Sequence, residues 1–434
     1  MKKIILSLMA LSSLTVSAQF GAPRQNPTVP SVTENVVEDF KPATSNQDSK
    51  QYPMVNSQRM VRAQISAPNA TSVGLDIAGK IYSMTKDEKG VWTGTSEPQD
   101  EGFHYYQLNI DGASVPDPGS LYYYGASRWG SGIEIPSTDQ DFWQVKNVPQ
   151  GSMSEVFYWS TYTEKMRRCH VYLPNEYYTN PTKKFPVLYL QHGMGENEYG
   201  WAEQGHTAQI LDNLIAEGKA VPCIIVMDNG LNTQRPGEAG GFGGFGGPRP
   251  QGAPGAGPQG QRPQGAPQGA PQGQRPQGQR PQGAPGQGGP RRGGFGGFSE
   301  GFKNVLFNDI IPMVEKNYRV IADPQHRAYA GLSMGGMQAR EITLANPEKF
   351  AYVGSFSSGA WSVDQVKASE GFAKNVKLLF MSGGGKENMG CVEAAKNIKE
   401  QLGMNAVGYE SPGTAHEWHT WRRSLYQFAQ LIFK

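Results

Sequence analysis

Residues 330–336 read Ala330-Gly331-Leu332-Ser333-Met334-Gly335-Gly336, a G-x-S-x-G pattern. Before it, Arg327-Ala328-Tyr329-Ala330 is short and apolar-leaning, as a strand is. After it, Met337 to Ala345 predicts a helix closed by Asn346-Pro347. Strand, sharp turn and helix are the context that turns this pattern into a nucleophile elbow. The glycines are needed because the serine sits in a strained turn with neighbouring backbone packed close. Such a turn lifts the Ser333 hydroxyl clear of a sheet and leaves the Met334 N–H free at a helix start.

Strands and helices alternate around the elbow. Arg168 to Pro174, Pro186 to Leu190 and Cys223 to Met227 read as strands, the last two as apolar runs buried on both faces. Thr207 to Glu217 has helical spacing through Ile210, Leu211, Leu214 and Ile215. Beyond the elbow, Tyr352 to Phe356, Val376 to Met381 and Ala406 to Glu410 are strands, Glu393 to Leu402 is a helix, and Trp418 to Phe433 is the last helix. The alternation predicts a mostly parallel sheet with helices on both faces. With the elbow, this is an α/β-hydrolase fold over residues 147–434.

Residues 237–299 interrupt it. This stretch is Gly, Pro, Gln and Arg, with a recurring Pro-Gln-Gly unit and nothing acidic between Glu238 and Glu300. Its composition predicts a disordered, solvated insert, which chain closure tolerates because closure entropy grows slowly with length. The N-terminal third differs again. Lys2 and Lys3, the apolar run Ile4 to Val16 and Val16-Ser17-Ala18 read as a secretory signal, residues 1–18, cleaved after Ala18. The mature chain is therefore expected to be secreted or periplasmic. Residues 19–58, polar and dotted with prolines, predict a flexible leader. Residues 59–146 carry short alternating strands with turns at Lys89-Gly90 and Asp111-Gly112, which predict a small β-sandwich. That order resembles the immunoglobulin-like modules of the glycogen-branching-enzyme type attached to glycan-active enzymes. The matching residues are Ala67-Pro68-Asn69-Ala70, Gly90-Val91-Trp92, Tyr105-Tyr106 and Asp111-Gly112 leading to Pro116-Asp117-Pro118. The resemblance implies carbohydrate contact, with Trp92, Tyr122, Tyr123, Tyr124 or Trp129 as stacking faces; Trp92 and Tyr106 equally suit a sandwich core.

A net charge of +2 over 434 residues implies no strong electrostatic partner, so nucleic acid is not expected. The apolar run at the N-terminus is too short to span a bilayer. Cys169, Cys223 and Cys391 read as three buried thiols. His416-Glu417-Trp418-His419 is not a zinc pattern, because its second histidine comes one position early for H-E-x-x-H. Neither metal nor cofactor is expected.

A serine hydroxyl needs a base within reach and a group that orients that base. His416 lies in the loop after the last strand, which fits the chain order serine, acid, histidine; His419 is the competitor, one helical turn on. Two N–H groups are needed for the oxyanion: that of Met334, and that of Met194 in the loop Gln191-His192-Gly193-Met194-Gly195. His192 reads as a residue packing that loop. Tyr199 and Trp201, further along it, could line an acyl or leaving-group pocket.

At these residues the chain resembles carbohydrate esterase family 1, the feruloyl and acetyl-xylan esterases, related to esterase D and the mycolyltransferases. The resemblance runs from about Val156 to Phe433 without the insert. It rests on Pro186-Val187-Leu188-Tyr189-Leu190-Gln191-His192-Gly193, on the elbow, on Phe356-Ser357-Ser358-Gly359 and on His416 to Arg422. It implies hydrolysis of a feruloyl or acetyl ester on xylan or arabinoxylan through an acyl-serine. Trp201, Trp361 and Trp418 are then candidates for substrate binding. One departure stands out: where the family carries its acid in a Gly-x-x-Asp turn, this chain reads Gly385-Lys386-Glu387-Asn388. Three outcomes are open: Glu387 supplies the acid, Asn388 serves in a weaker pair, or catalysis is lost and a glycan-binding protein remains. Asp364 is a more distant candidate. Acyl transfer to an acceptor other than water is a further alternative, and oligomeric state is not legible.

Overall fold

The computed structural model describes residues 26–237 and 296–434. The secretory signal expected over 1–18, and nearly all of the insert expected over 237–299, lie outside the described residues.

The C-terminal part is built on eight strands: β1 (Ser152–Ser160), β2 (Lys165–Leu173), β3 (Val187–Gln191), β4 (Ile224–Asp228), β5 (Arg327–Leu332), β6 (Tyr352–Phe356), β7 (Leu378–Gly384) and β8 (Ala406–Ser411). They lie side by side in the order β1-β2-β4-β3-β5-β6-β7-β8. The first two are antiparallel to their neighbours and the rest are parallel. This is the α/β-hydrolase fold. Every position of β3 to β7 is buried, because helices cover both faces.

The helices that do so include α1 (Thr207–Ala216), α2 (Met334–Ala345), α3 (Cys391–Leu402) and α4 (Trp418–Ala429). Strand alternation sorts the core between them. Val187 and Tyr189 pack with Ala339 and Ile342 of α2 and Ile398 of α3. Leu188 and Leu190 pack on the other face with Ile210 and Leu214 of α1 and with Leu425 and Phe428 of α4. All three cysteines are buried and free. Between the helical stretches Gly296–Val305 and Ile311–Asn317 lies a five-residue π segment, Leu306–Ile310. Within it, Asp309 accepts hydrogen bonds from the Ser160 and Thr161 hydroxyls at the end of β1.

The N-terminal part is a sandwich of two sheets around Val61, Leu75, Tyr106, Leu108 and Ile133. The leader expected to be flexible over 19–58 is corrected from Asn26 onward. Thr28–Pro30 pairs in parallel with Lys80–Ser83, and Lys41–Pro42 and Met54–Val55 extend the second sheet beside Met60–Ser66. These pieces are two or three residues long, so no periodicity announced them. Of the aromatics proposed to stack on sugars, Trp92 is a core residue whose indole donates to Ala67 O. Tyr122 and Trp129 are exposed.

The sandwich docks on the helix α4 face. Phe103 and Trp143 join the same apolar cluster as Leu188 and Phe428. Glu134 of the sandwich forms a two-pronged ion pair with Arg422 of α4, which is fully buried. Burial works to raise the Glu134 pKa, but the Arg422 guanidinium, together with His206, holds it down at about 2.

Candidate active site

Ser333 stands between β5 and α2 at φ 50°, ψ −114°. Few side chains adopt this conformation, and the surroundings hold it there. The Ser333 N–H donates to Phe356 O at 2.7 Å, and Met337 N–H donates to Ser333 O at 3.0 Å. The glycines of the motif are needed for approach. A Cβ on Gly335 would come within 2.6 Å of His192 O, and one on Gly331 within 2.5 Å of the Gly335 carbonyl carbon.

His416 lies in the loop between β8 and α4. Its Nε2 is 3.0 Å from Ser333 Oγ, and its Nδ1 is 2.7 Å from Glu387 Oε1. Glu387 leaves the turn after β7 with its other oxygen also committed. Oε2 accepts from Ser357 Oγ and from the Gly384 N–H, each at 2.7 Å. Burial tends to raise the Glu387 pKa, but the bonds from His416, Ser357 and Gly384 outweigh it and hold the carboxyl below its ordinary value. The structure thus brings Glu387, and not Asn388, to the histidine. Asn388 is exposed in the same turn at φ 53°. Asp364 is exposed in the first turn of the helix Val363–Ala368.

His419, the competing base, is fully buried, with Nε2 3.1 Å from Asp139 Oδ1. Burial lowers its pKa to about 4. Its ring faces the sandwich, so close that a Cβ on Gly102 would stand 2.8 Å from His419 Cβ.

Met334 opens α2 directly after the nucleophile. The loop after β3 passes the other side, where a Cβ on Gly193 would lie 3.4 Å from Ser333 Cβ. His192 sets the loop's orientation. Its Nε2 accepts from the Gly230 N–H at 3.0 Å, so Nδ1 carries the proton and donates to Gly193 O at 2.7 Å. Burial lowers the His192 pKa to about 4, which keeps this neutral arrangement in place. In a trans peptide N–H and C=O point opposite ways. Fixing Gly193 O therefore turns the Met194 N–H away from His192.

The three tryptophans expected to bind substrate are corrected. Trp201, Trp361 and Trp418 are all at most 2% exposed. Their indole N–H groups are already used, by Gln191 O at 2.9 Å, Ser355 Oγ at 3.2 Å and Tyr105 Oη at 3.2 Å respectively. Large aromatic area is worth most inside a core, and these rings belong to the two apolar clusters of the sheet, Trp361 to one and Trp201 and Trp418 to the other. Tyr199 is half-buried, donates to Glu155 Oε2 at 2.6 Å, and has Trp129 edge-on at 5.1 Å. Two residues missed from sequence also touch this assembly. Ser357 lies in Phe356-Ser357-Ser358-Gly359, but nothing in the sequence ties it to Glu387, thirty positions on. Tyr105 reads from sequence as part of a strand and of the immunoglobulin-like resemblance, with nothing to tie it to this site.

Among the described residues, no cluster of His, Cys, Asp and Glu could hold a metal ion. None of their helices is long and apolar enough to cross a membrane.

The Esterase family model, described as "Putative esterase", matches residues 160–240 and 260–431, and the chain belongs to this family. A curated protein of Xylanibacter ruminicola named endo-1,4-beta-xylanase/feruloyl esterase is 39% identical over 406 residues. That match covers 92% of this chain and 48% of the relative, so the chain spans about half its length. Among solved structures, the enterobactin esterase of Shigella flexneri in the presence of enterobactin is 14% identical and covers 86% of this chain and 92% of its own, with a TM-score of 0.54. That likeness speaks to the fold. A ferulic acid esterase of Anaeromyces mucronatus in complex with ferulic acid is 21% identical, covers 68% of this chain and 96% of its own, and has a TM-score of 0.48.

Proposed function

We propose that this chain is an exported serine esterase that releases ferulate from feruloylated xylan or arabinoxylan. The observation that carries the reading is the unbroken line from Ser333 Oγ through the His416 ring to Glu387, at 3.0 and 2.7 Å. His416 Nε2 takes the proton as Ser333 Oγ attacks the ester carbonyl carbon. The N–H groups of Met194 and Met334 receive the developing oxyanion. Glu387, ionised and held below its ordinary pKa, stabilises the imidazolium. His416 then gives its proton to the departing sugar oxygen, and the acyl group stays on Ser333. Water, deprotonated by His416, adds to the acyl carbon; collapse frees the acid and returns the proton to Ser333.

The substrate class comes from kinship. The Xylanibacter relative's name joins two activities, and this chain corresponds to about half of that protein. The esterase family match assigns the ester chemistry to this half. The name favours ferulate over acetate as the acyl group. Trp129, exposed and edge-on to Tyr199 of the loop after β3, is a candidate sugar-stacking face.

The test uses the full chain, with Ser333→Ala as control. Ferulate release is followed from methyl ferulate and from feruloylated arabinoxylan, beside hydrolysis of p-nitrophenyl acetate. We expect turnover of both ferulate esters by the wild type and none above background by Ser333→Ala. Equal rates for the two proteins would sink the esterase reading. Turnover of p-nitrophenyl acetate alone would overturn the choice of acyl group.

A further inference from the structure

Four polar groups from three separate stretches meet at one hydroxyl of the sandwich. Tyr105 Oη accepts from Gln204 Nε2 at 2.6 Å and from the Trp418 indole N–H at 3.2 Å. Its own proton faces Glu196 Oε1 at 3.5 Å and Tyr124 O at 3.4 Å. Glu196 stands two residues after Met194, and Trp418 two residues after His416. A single side chain of the N-terminal part therefore touches both the loop expected to supply an oxyanion donor and the first residue of α4, where the loop that carries the base ends. The seat is built for it: a Cβ on Gly125 would stand 2.1 Å from Tyr105 Cζ and 2.2 Å from its Oη. A second contact reinforces the first. The hairpin turn next to Gly125 donates the Ser127 N–H to Gly195 O at 2.7 Å.

Together with His192, these contacts fix the loop on both sides of Met194. Gly193 O is held from the hydrolase side by His192 Nδ1. Gly195 O and the Glu196 side chain are held from the sandwich side. Glu196 is buried, and its second oxygen has no protein partner. Burial pushes its pKa up to about 8, so at neutral pH it sits there uncharged. An uncharged carboxyl beside the Tyr105 hydroxyl suits a packed joint.

We propose that the sandwich is part of the catalytic apparatus, with Tyr105 as the positioning residue that holds the oxyanion loop and the base loop in register across the domain boundary. The proposal rests on the esterase reading above. Positioning is worth rate: displacement by about 1 Å far from the chemistry can cost about 100-fold. Because Tyr105 reaches loops and not the acyl group, its hydroxyl should act on turnover far more than on substrate affinity.

The experiment compares full-chain wild type, Ser333→Ala, Tyr105→Phe, Trp418→Phe and the double variant Tyr105→Phe/Trp418→Phe on methyl ferulate, with melting temperature measured for each. Tyr105→Phe keeps the ring and removes only the hydroxyl. We expect its kcat to fall about tenfold, with KM within about twofold and a melting temperature close to wild type. Reaction of Ser333 with a p-nitrophenyl phosphonate, which builds negative charge at the same hole, should slow in parallel. Trp418→Phe breaks the same joint from the other loop and should give the same kcat-over-KM split. The double variant should lose no more than the worse single one, since both act through one contact. Wild-type kcat in Tyr105→Phe, or a loss carried by KM, overturns the positioning role while leaving the esterase reading intact. Should Tyr105→Phe fail to fold, Trp418→Phe decides alone on the same split. Wild type no faster than Ser333→Ala removes both readings.

Discussion

At Glu387 the carboxylate is committed on both oxygens, and this separates it from its neighbour. Oε1 holds His416 Nδ1; Oε2 is held by Ser357 and the Gly384 backbone. Asn388, one position on, faces solvent. Replacing Glu387 by Gln keeps shape and removes charge, so an imidazolium formed on the proposed path would lose its counter-ion. Replacing a triad acid by its amide costs about 10⁴ in kcat in a serine protease. We expect Glu387→Gln to lose on the order of 10³–10⁴ in kcat on methyl ferulate. Asn388→Gly, which keeps the positive φ of the turn, should stay within about twofold of wild type, because residue 388 is exposed and Glu387 is the one bonded to His416. Steady-state kinetics on the two variants check the pair, and the reverse ranking would reassign the acid. The sequence could name Ser333 and His416, because a motif and a chain order mark them. It could only leave Glu387 and Asn388 side by side. Which of two adjacent residues turns inward depends on the φ of the turn after β7, and that is set by packing the sequence does not display.

At the scale of elements, the last helix carries more than its apolar face. α4 offers Leu425 and Phe428 to the sheet, and Arg422 to Glu134 of the sandwich. Removing one partner of a buried pair leaves the other charge unpaired, which costs about 3–5 kcal/mol. Glu134→Gln should therefore lower the melting temperature clearly at pH 7. The sign with pH follows from the folded-state pKa of about 2 against the ordinary 4.5. A depressed carboxyl contributes stability that is present above 4.5 and is lost as pH falls toward 2. The gap in melting temperature between wild type and Glu134→Gln should be widest at pH 6–7 and shrink steadily to pH 3. A gap independent of pH would show that the pair is not the source. The elements themselves differed in how readable they were. β3 and β4 are buried on both faces and announce themselves as apolar runs, Val187–Leu190 and Ile224–Met227. Thr28–Pro30 owes its conformation to pairing with Lys80–Ser83, and three residues hold no period to read. The three tryptophans near the site were visible as aromatics. Their burial was not, because a large ring near a catalytic residue fits a core as well as a pocket.

At the scale of the whole molecule, the boundary near residue 147 divides two compositions, and packing crosses it. The sandwich has a core of its own around Val61, Leu75 and Leu108. Yet Phe103 and Trp143 belong to the apolar cluster of the hydrolase sheet, beside Leu190, Trp201 and Phe428. Polar contacts bind the same seam: Arg422 with Glu134, Tyr105 with Gln204 and Trp418, and Ser127 with Gly195. The partners of Tyr105 on the hydrolase side lie 91, 99 and 313 positions away in the chain, so no local pattern could mark that role. Separating the two parts would expose aromatic rings and strand a buried guanidinium. We therefore expect each part to be less stable alone than docked, and opening of the seam to be coupled to unfolding. Differential scanning calorimetry of the full chain should show one cooperative transition, with calorimetric and van't Hoff enthalpies in agreement. Glu134→Gln should move that transition down as a whole. Two resolved peaks in the wild type, with esterase activity lost at the second alone, would mean that the sandwich melts independently of the catalytic site, and the shared seam would then not couple the two parts.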